Sequence, residues 1–284
     1  MDIGPLLADH EGAIRFAAFA AVFALMAAWE VAAPRRGLSL QKGRRWLANL
    51  GVTLLNAVLV RVLFPTATVG AAFAAGERDW GLFNMLAVPA PLAFAASFIA
   101  LDLVIWIQHV AFHRVPLLAR LHRMHHVDLD FDVTTGLRFH PVEILLSLLI
   151  KFTAVIALGA PAAAVLAFEL ALNLGSLFNH GNVRMPRAID RALRLLVVTP
   201  DMHRVHHSIV PEEINSNFGF FLSWWDRLFG TYTAAPRAGH DAITIGVRDT
   251  RDPAVCASIG PMLALPFRER ADDFPCARLD ASRS

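Results

Sequence analysis

The sequence predicts an all-α protein in which several membrane-spanning helices carry a helical cap on the cytoplasmic side. Three observations predict it. Apolar runs recur at close to the roughly 20 residues that a bilayer-crossing helix needs. Proline closes or opens most of them, as expected of a residue that lacks the N–H a continuing helix requires. Ten of the twelve histidines fall between positions 109 and 207. Composition agrees: of 284 residues, 56% are hydrophobic and 18% charged, with a mean hydropathy of +0.48, against about 25% charged in soluble domains. That excludes a disordered chain and a simple water-soluble enzyme. Lys+Arg number 26 against 24 Asp+Glu, which gives no case for a nucleic-acid binder. Cys256 and Cys276 cannot make a disulfide framework. Only Lys42 and Lys151 are lysine, an arginine excess that reads as a bacterial genomic bias and points to an inner membrane.

The elements follow in order. The first span runs from Ala13 to Ala33 and is closed by Pro34. It is too long for a signal-peptide core, and neither a basic segment before it nor a cleavage pattern after it supports one. The second runs from Trp46 to Phe64, closed by Pro65, and the third from about Leu92 to Phe112, between Pro91 and Pro116. The stretch Val142 to Phe178 is too long for one span and is broken at Gly159-Ala160-Pro161, so it reads as a hairpin of two helices that either crosses or re-enters. Arg35, Arg36, Lys42, Arg44 and Arg45 lie between the first two spans with no acid among residues 34–46. Basic loops stay cytoplasmic, which puts the N-terminus outside and every histidine cluster on the cytoplasmic face. Segment 189–198 has helical apolar spacing and fits an interfacial helix or a packed amphipathic one equally. The organisation expected is membrane-anchoring helices over 1–97, a functional domain over 98–232, and a polar C-terminal tail over 233–284.

The histidines form His109-x-x-x-His113, His122-x-x-His125-His126 and His203-x-x-His206-His207, with His140 and His180 single. Residues four apart share a helix face, and offsets of 0, 3 and 4 place three rings within an arc of roughly 100°. Each cluster can therefore aim several nitrogens at one point. His10 and His240 lie outside the clusters. Burying so many imidazoles without a ligand leaves many polar groups to satisfy. Four to six ligands fill one ion's coordination sphere, so eight to ten histidines imply two metals. Imidazole sets suit Fe, Cu, Zn or Ni, which leaves the metal open. His140, directly before Pro141 at a helix start, is either a ligand or a cap.

These three boxes, in order after a membrane helix, resemble the fatty acid hydroxylase/sterol desaturase superfamily of integral-membrane enzymes. The resemblance covers about residues 98–232. It includes the words Thr134-Thr135-Gly136-Leu137-Arg138-Phe139-His140-Pro141, Thr199-Pro200-Asp201-Met202-His203, Asn215-Ser216-Asn217-Phe218-Gly219 and Trp225-Asp226-Arg227-Leu228-Phe229-Gly230-Thr231. What it implies is a non-haem site of two iron ions that activates O₂ against a lipid C–H bond, giving hydroxylation or desaturation. It implies His109, His113, His122, His125, His126, His203, His206 and His207 as ligands, with His180 matching a further histidine and His140 a less universal position.

Asp102 lies two helical turns before His109 on the same face, inside the third span. An intramembrane acid is a functional candidate by default, here to orient the His109 ring, against a cap or a helix–helix contact. Asp132 and Asp201 flank clusters but read equally as surface charge. Asn217 and the Trp225-Asp226-Arg227 word are expected only to build the fold. No GxGxxG or Walker A motif occurs, so electrons are expected from a separate ferredoxin-, rubredoxin- or cytochrome-like protein. The competing reading is a membrane metal carrier or store. It calls for ionisable residues along the spans, which hold few polar groups beyond Asp102, Arg61, Lys151 and Glu169. A zinc hydrolase would leave half the histidines unused.

Overall fold

A computed structural model describes residues 4–64 and 67–268. Pro65, the expected stop of the second span, and Cys276 lie outside the described residues. The chain is all-α and multi-pass. Among the described residues, five helical segments are long and apolar enough to cross a membrane: His10–Ala32, a stretch starting at Lys42, Ala90–Arg114, Pro141–Leu158 and Ala162–Asn179. They belong to α1 (Gly4–Ala32), α2 (Lys42–Leu63), then, after α3 (Ala67–Glu77) and α4 (Leu82–Met85), α5 (Ala90–Arg114), and, after α6 (Pro116–His126), α7 (Pro141–Leu158) and α8 (Ala162–Asn179). The 142–178 stretch is the hairpin the sequence predicts. Gly159 takes the left-handed conformation at φ 65° that ends α7.

The sequence expectation has no helix between the second and third spans, yet α3 stands there. Its Val69, Ala71 and Ala72 are buried against Val155 of α7 and Val165 and Phe168 of α8. Small side chains let this short helix approach its neighbours closely, as is usual where apolar burial alone does not drive helices together in lipid.

The cap comprises α6, α9 (Arg187–Leu193), α10 (Pro200–His206), α11 (Pro211–Ile214), α12 (Trp224–Leu228), α13 (Gly239–Ala242), α14 (Pro253–Cys256) and α15 (Ile259–Ala264). Pro116, Pro141, Pro200, Pro211 and Pro253 each occupy a first helical position. Proline's fixed φ suits that position, and the N–H it lacks would be unused there.

Residues expected as an unpatterned tail also join the cap. Cys256, Met262 and Leu265 are buried, the first two in contact with the Arg138 guanidinium through the Cys256 carbonyl at 3.0 Å and the Met262 sulfur at 2.8 Å. Helices this short show no sequence period and stand only on such tertiary contacts.

A buried ionic network joins α2 to the 127–138 loop. Arg45 Nε lies 2.9 Å from Asp128 and its Nη2 2.6 Å from Asp132, while Arg138 lies 3.2 Å from Asp128. The Trp46 indole donates to Asp132 at 2.9 Å. Asp132 is thus fully buried, which corrects the surface-charge alternative. Burial alone would raise the Asp128 carboxyl, but Arg45 and Arg138 beside it hold it below its ordinary value. Asp201 is partly exposed and pairs with Arg204 and Arg35.

Candidate metal centre

Helix α5 delivers His109 and His113 one turn apart, α6 delivers His122, His125 and His126, and α10 delivers His203 and His206, with His207 as its cap. His180 caps α8. All nine are buried. They fall into two groups in which candidate ligand atoms lie within 4.8 Å of one another: His109, His113, His122, His126 and His206 in one, His125, His180, His203 and His207 in the other.

Helix geometry explains the division. On a helix a residue four positions on lies about 40° around the axis, and one three positions on lies about 60° the other way. His122 and His126 therefore share a face and enter the first group, while His125 turns to the second. In the other box His203 and His207 enter the second group and His206 crosses to the first. Each HxxHH unit gives two rings to one group and one ring to the other. Together they place two potential ion positions side by side.

Ring orientation is set from outside the groups. His109 Nδ1 lies 2.7 Å from the Phe218 carbonyl, His206 Nδ1 2.7 Å from that of Ser216, and His180 Nδ1 2.8 Å from that of Ser176. His122 Nδ1 lies 2.6 Å from Glu143 Oε1. A carbonyl or carboxylate oxygen only accepts, so Nδ1 carries the proton in each of these rings and Nε2 presents a lone pair. Two of those lone pairs meet, His109 Nε2 and His122 Nε2 at 3.1 Å, and that of His180 lies 3.2 Å from Nε2 of His125 and of His203. Two bare nitrogens facing each other repel unless a cation lies at the junction. His206 Nε2 and both His207 nitrogens are buried without a protein hydrogen-bond partner. Burial first, then neighbouring imidazoles, push His125, His126, His203, His206 and His207 well below the ordinary histidine value. His180 is lowered to about 3, mainly by burial. Neutral imidazoles in this arrangement fit a pair of metal ions.

The structure places two of the candidate residues away from the imidazole groups. His140 is not brought to either group. Its Nδ1 accepts from Val142 N at 3.2 Å and its Nε2 meets the Leu263 carbonyl at 3.2 Å, so it caps α7 and ties it to the C-terminal segment. Asp102 does not orient His109. Its Oδ2 accepts from the Trp225 indole at 2.7 Å and from Leu222 N at 3.4 Å, and the Phe218 carbonyl takes the place it was expected to fill.

Residues assigned no chemistry from the sequence hold the centre in place. Asp226 accepts from Phe218 N and Gly219 N at 2.8 Å each, Thr231 Oγ1 at 2.7 Å and Trp106 Nε1 at 3.1 Å. Asn217, left-handed at φ 53°, donates to the Met202 and Thr233 carbonyls at 2.8 Å. These contacts fix the Ser216 and Phe218 carbonyls, one serving His206 and the other His109. Glu143 was missed. Its signal in the sequence is an acid in the first turn of an apolar helix directly after His140-Pro141.

A cavity of about 480 Å³ opens against the first group. His109, His122 and Glu143 line one end with Phe112, Phe139 and Phe220, and the walls run along α1, α2, α5, α7 and α8 to Arg15 and Lys151. Phe139 also stacks on His125, with ring centroids 4.4 Å apart.

Residues 94–231 match the fatty acid hydroxylase family. The chain is 32% identical over 158 residues to the ornithine lipid hydroxylase OlsE of Rhizobium tropici, a match that covers 55% of this chain and 46% of that protein. Over 198 residues it is 26% identical to the alkylglycerol monooxygenase of Xenopus tropicalis, covering 67% and 42%. It is 31% identical over 160 residues to the Homo sapiens alkylglycerol monooxygenase, covering 55% and 34%. The chain thus spans under half the length of these relatives. No solved structure matches it.

Proposed function

Since residues 94–231 belong to the fatty acid hydroxylase family, we propose that the protein is a membrane oxidoreductase that uses O₂ and two histidine-bound iron ions to hydroxylate a lipid. The observation that carries this reading is the pair of imidazole groups at the end of a cavity lined by membrane helices. The relatives' names, a lipid hydroxylase and an alkylglycerol monooxygenase, agree with it. When bound, two irons would supply O₂ activation and transfer of one oxygen atom into a C–H bond.

The chain's own residues do the positioning. The Phe218, Ser216 and Ser176 carbonyls fix three rings with Nε2 inward, and Glu143 fixes His122 while adding negative charge beside a cationic centre. Glu143 Oε2 is buried without a protein partner at the cavity wall, which keeps its second oxygen beside the space a substrate would fill. Phe112, Phe139 and Phe220 keep water from the reacting carbon. One O₂, two external electrons and two protons give the alcohol and one water. The electrons come from a separate ferredoxin-, rubredoxin- or cytochrome-like protein at the cytoplasmic face.

The test is turnover of lipid by purified protein under ¹⁸O₂ with a small electron-transfer protein and its NAD(P)H-linked reductase. One ¹⁸O in an alcohol product is expected; both atoms in water with an alkene formed would indicate desaturation. Label arriving from water, or product without O₂, overturns the reading. Metal crossing sealed vesicles with no product in any lipid class would favour the carrier.

A further inference from the structure

The end of the cavity away from the histidines is charged, although it lies within the bundle. Lys151 stands eight residues beyond Glu143 on α7, which is about 12 Å along the helix. Glu169 precedes His180 by eleven residues on α8, or about 16 Å. Lys151 Nζ lies 2.9 Å from Glu169 Oε1, and Arg15 Nη2 from α1 lies 2.6 Å from Glu169 Oε2. Arg15 also pairs with Glu11 at 2.7 Å. Three spans meet at these ions, and Arg15 and Lys151 both line the cavity. Ionisable groups at this depth are costly and seldom kept without a role.

The chemistry of the cluster specifies what it would take. Each oxygen of Glu169 already takes one of the two cations. Lys151 carries three N–H donors and Arg15 five, more than their carboxylate partners use. Two cations face two carboxylates, so the cluster has no net charge with which to offset the desolvation of an anion. The group that fits is an uncharged hydrogen-bond acceptor. Asn56, only 7% exposed, also lines the cavity; its Nδ2 donates to the Phe139 carbonyl at 2.8 Å and its Oδ1 is buried without a partner, so a hydroxyl could donate to it. A featureless alkyl chain would leave these polar groups unsatisfied.

We infer that the Arg15–Glu169–Lys151 cluster reads the substrate, selecting a lipid that carries a hydroxyl or carbonyl oxygen on the order of 10 Å from the carbon presented to the histidines, the scale set by the helical rise between Glu143 and Lys151. The inference rests on the cavity being the substrate site, as proposed above. It does not depend on the reaction performed there.

The experiment measures binding, without O₂ or reductant, of 1-decanol and decane to the metal-loaded full chain in nanodiscs. Each probe partitions into the bilayer equally for every variant, so partitioning cancels when the ratio of the two dissociation constants is compared between proteins. Relative to wild type, Lys151→Met should lose about tenfold in preference for the alcohol over the alkane, the worth of one hydrogen bond to a charged donor. Lys151→Arg, which keeps a donor, should retain the preference, and this variant answers the question should Lys151→Met fail to fold. An unchanged ratio in Lys151→Met, a lost one in Lys151→Arg, or no binding of either probe to wild type overturns the inference. Preference for the alcohol in binding, together with no product in the ¹⁸O₂ turnover assay, would instead sink the hydroxylase reading and leave the cavity's selectivity standing.

Discussion

Glu143 is the sharpest point at which to test the architecture of the centre. Its carboxylate lies 2.6 Å from His122 Nδ1, and the residue is 4% exposed. Glu143→Ala leaves that N–H buried with nothing to accept it and frees the ring to rotate away from the convergence with His109. A hydrogen bond to a charged group contributes about 1.5–3 kcal/mol, which at about 1.4 kcal/mol per decade is roughly ten- to a hundredfold in metal affinity. Losses of that size are typical when the partner orienting a ligating imidazole is removed. Glu143→Gln keeps an acceptor oxygen and should fall between Ala and wild type. The assay is metal retained per chain against a graded chelator series, with turnover measured in parallel. Asp102→Asn is the counterpart: Asp102 touches Trp225 and Leu222 but no histidine. It should lower thermal stability and leave metal affinity within about twofold, well under the 1.4 kcal/mol decade. Full metal affinity in Glu143→Ala, or a hundredfold loss in Asp102→Asn, would refute this account of how the rings are held.

Other outcomes follow from the same geometry. Metal-replete protein should hold close to two ions per chain, and His206→Ala and His125→Ala should each lower the content, because each removes a ring from a different group; His10→Ala should lower none. His140→Ala should keep both ions and cost about 1 kcal/mol of stability through loss of a helix cap, read as a fall in Tm. Metal-stripped protein should lose stability as pH falls. His180 is neutral in the fold down to about 3, chiefly through burial, whereas the unfolded ring protonates near 6.5. Between those values the unfolded state binds the extra proton, so stability is intact above about pH 6.5 and declines below it by roughly 1.4 kcal/mol per pH unit for each such ring. An unfolding midpoint flat from pH 7 to 5 would contradict neutral burial.

Local pattern carried a large part of this protein. A helix repeats every 3.6 residues, so spans, the proline starts of α6, α7 and α10, and the facing of rings at offsets 0, 3 and 4 are written in short stretches of chain. The gathering of His109, His122 and His203 was legible for the same reason: three boxes each aim at a point, and few arrangements satisfy all of them. Which oxygen holds each ring was not legible. Asp102 has the right helical phase for His109, but a residue some 120 positions on, Trp225, claims its carboxylate, and a backbone carbonyl whose position no residue type encodes takes over. Asp132 reads as a loop charge until Arg45 of α2 meets it in the interior. His140 follows the second box in sequence, yet its ring turns to Leu263, in a segment whose short helices have no period to announce them. The sequence by itself determined the chemistry available and the face each helix presents, because both depend on neighbours within a turn. The tertiary structure alone decided the division into five and four imidazoles and the partners that orient them, because those depend on contacts between segments far apart in the chain.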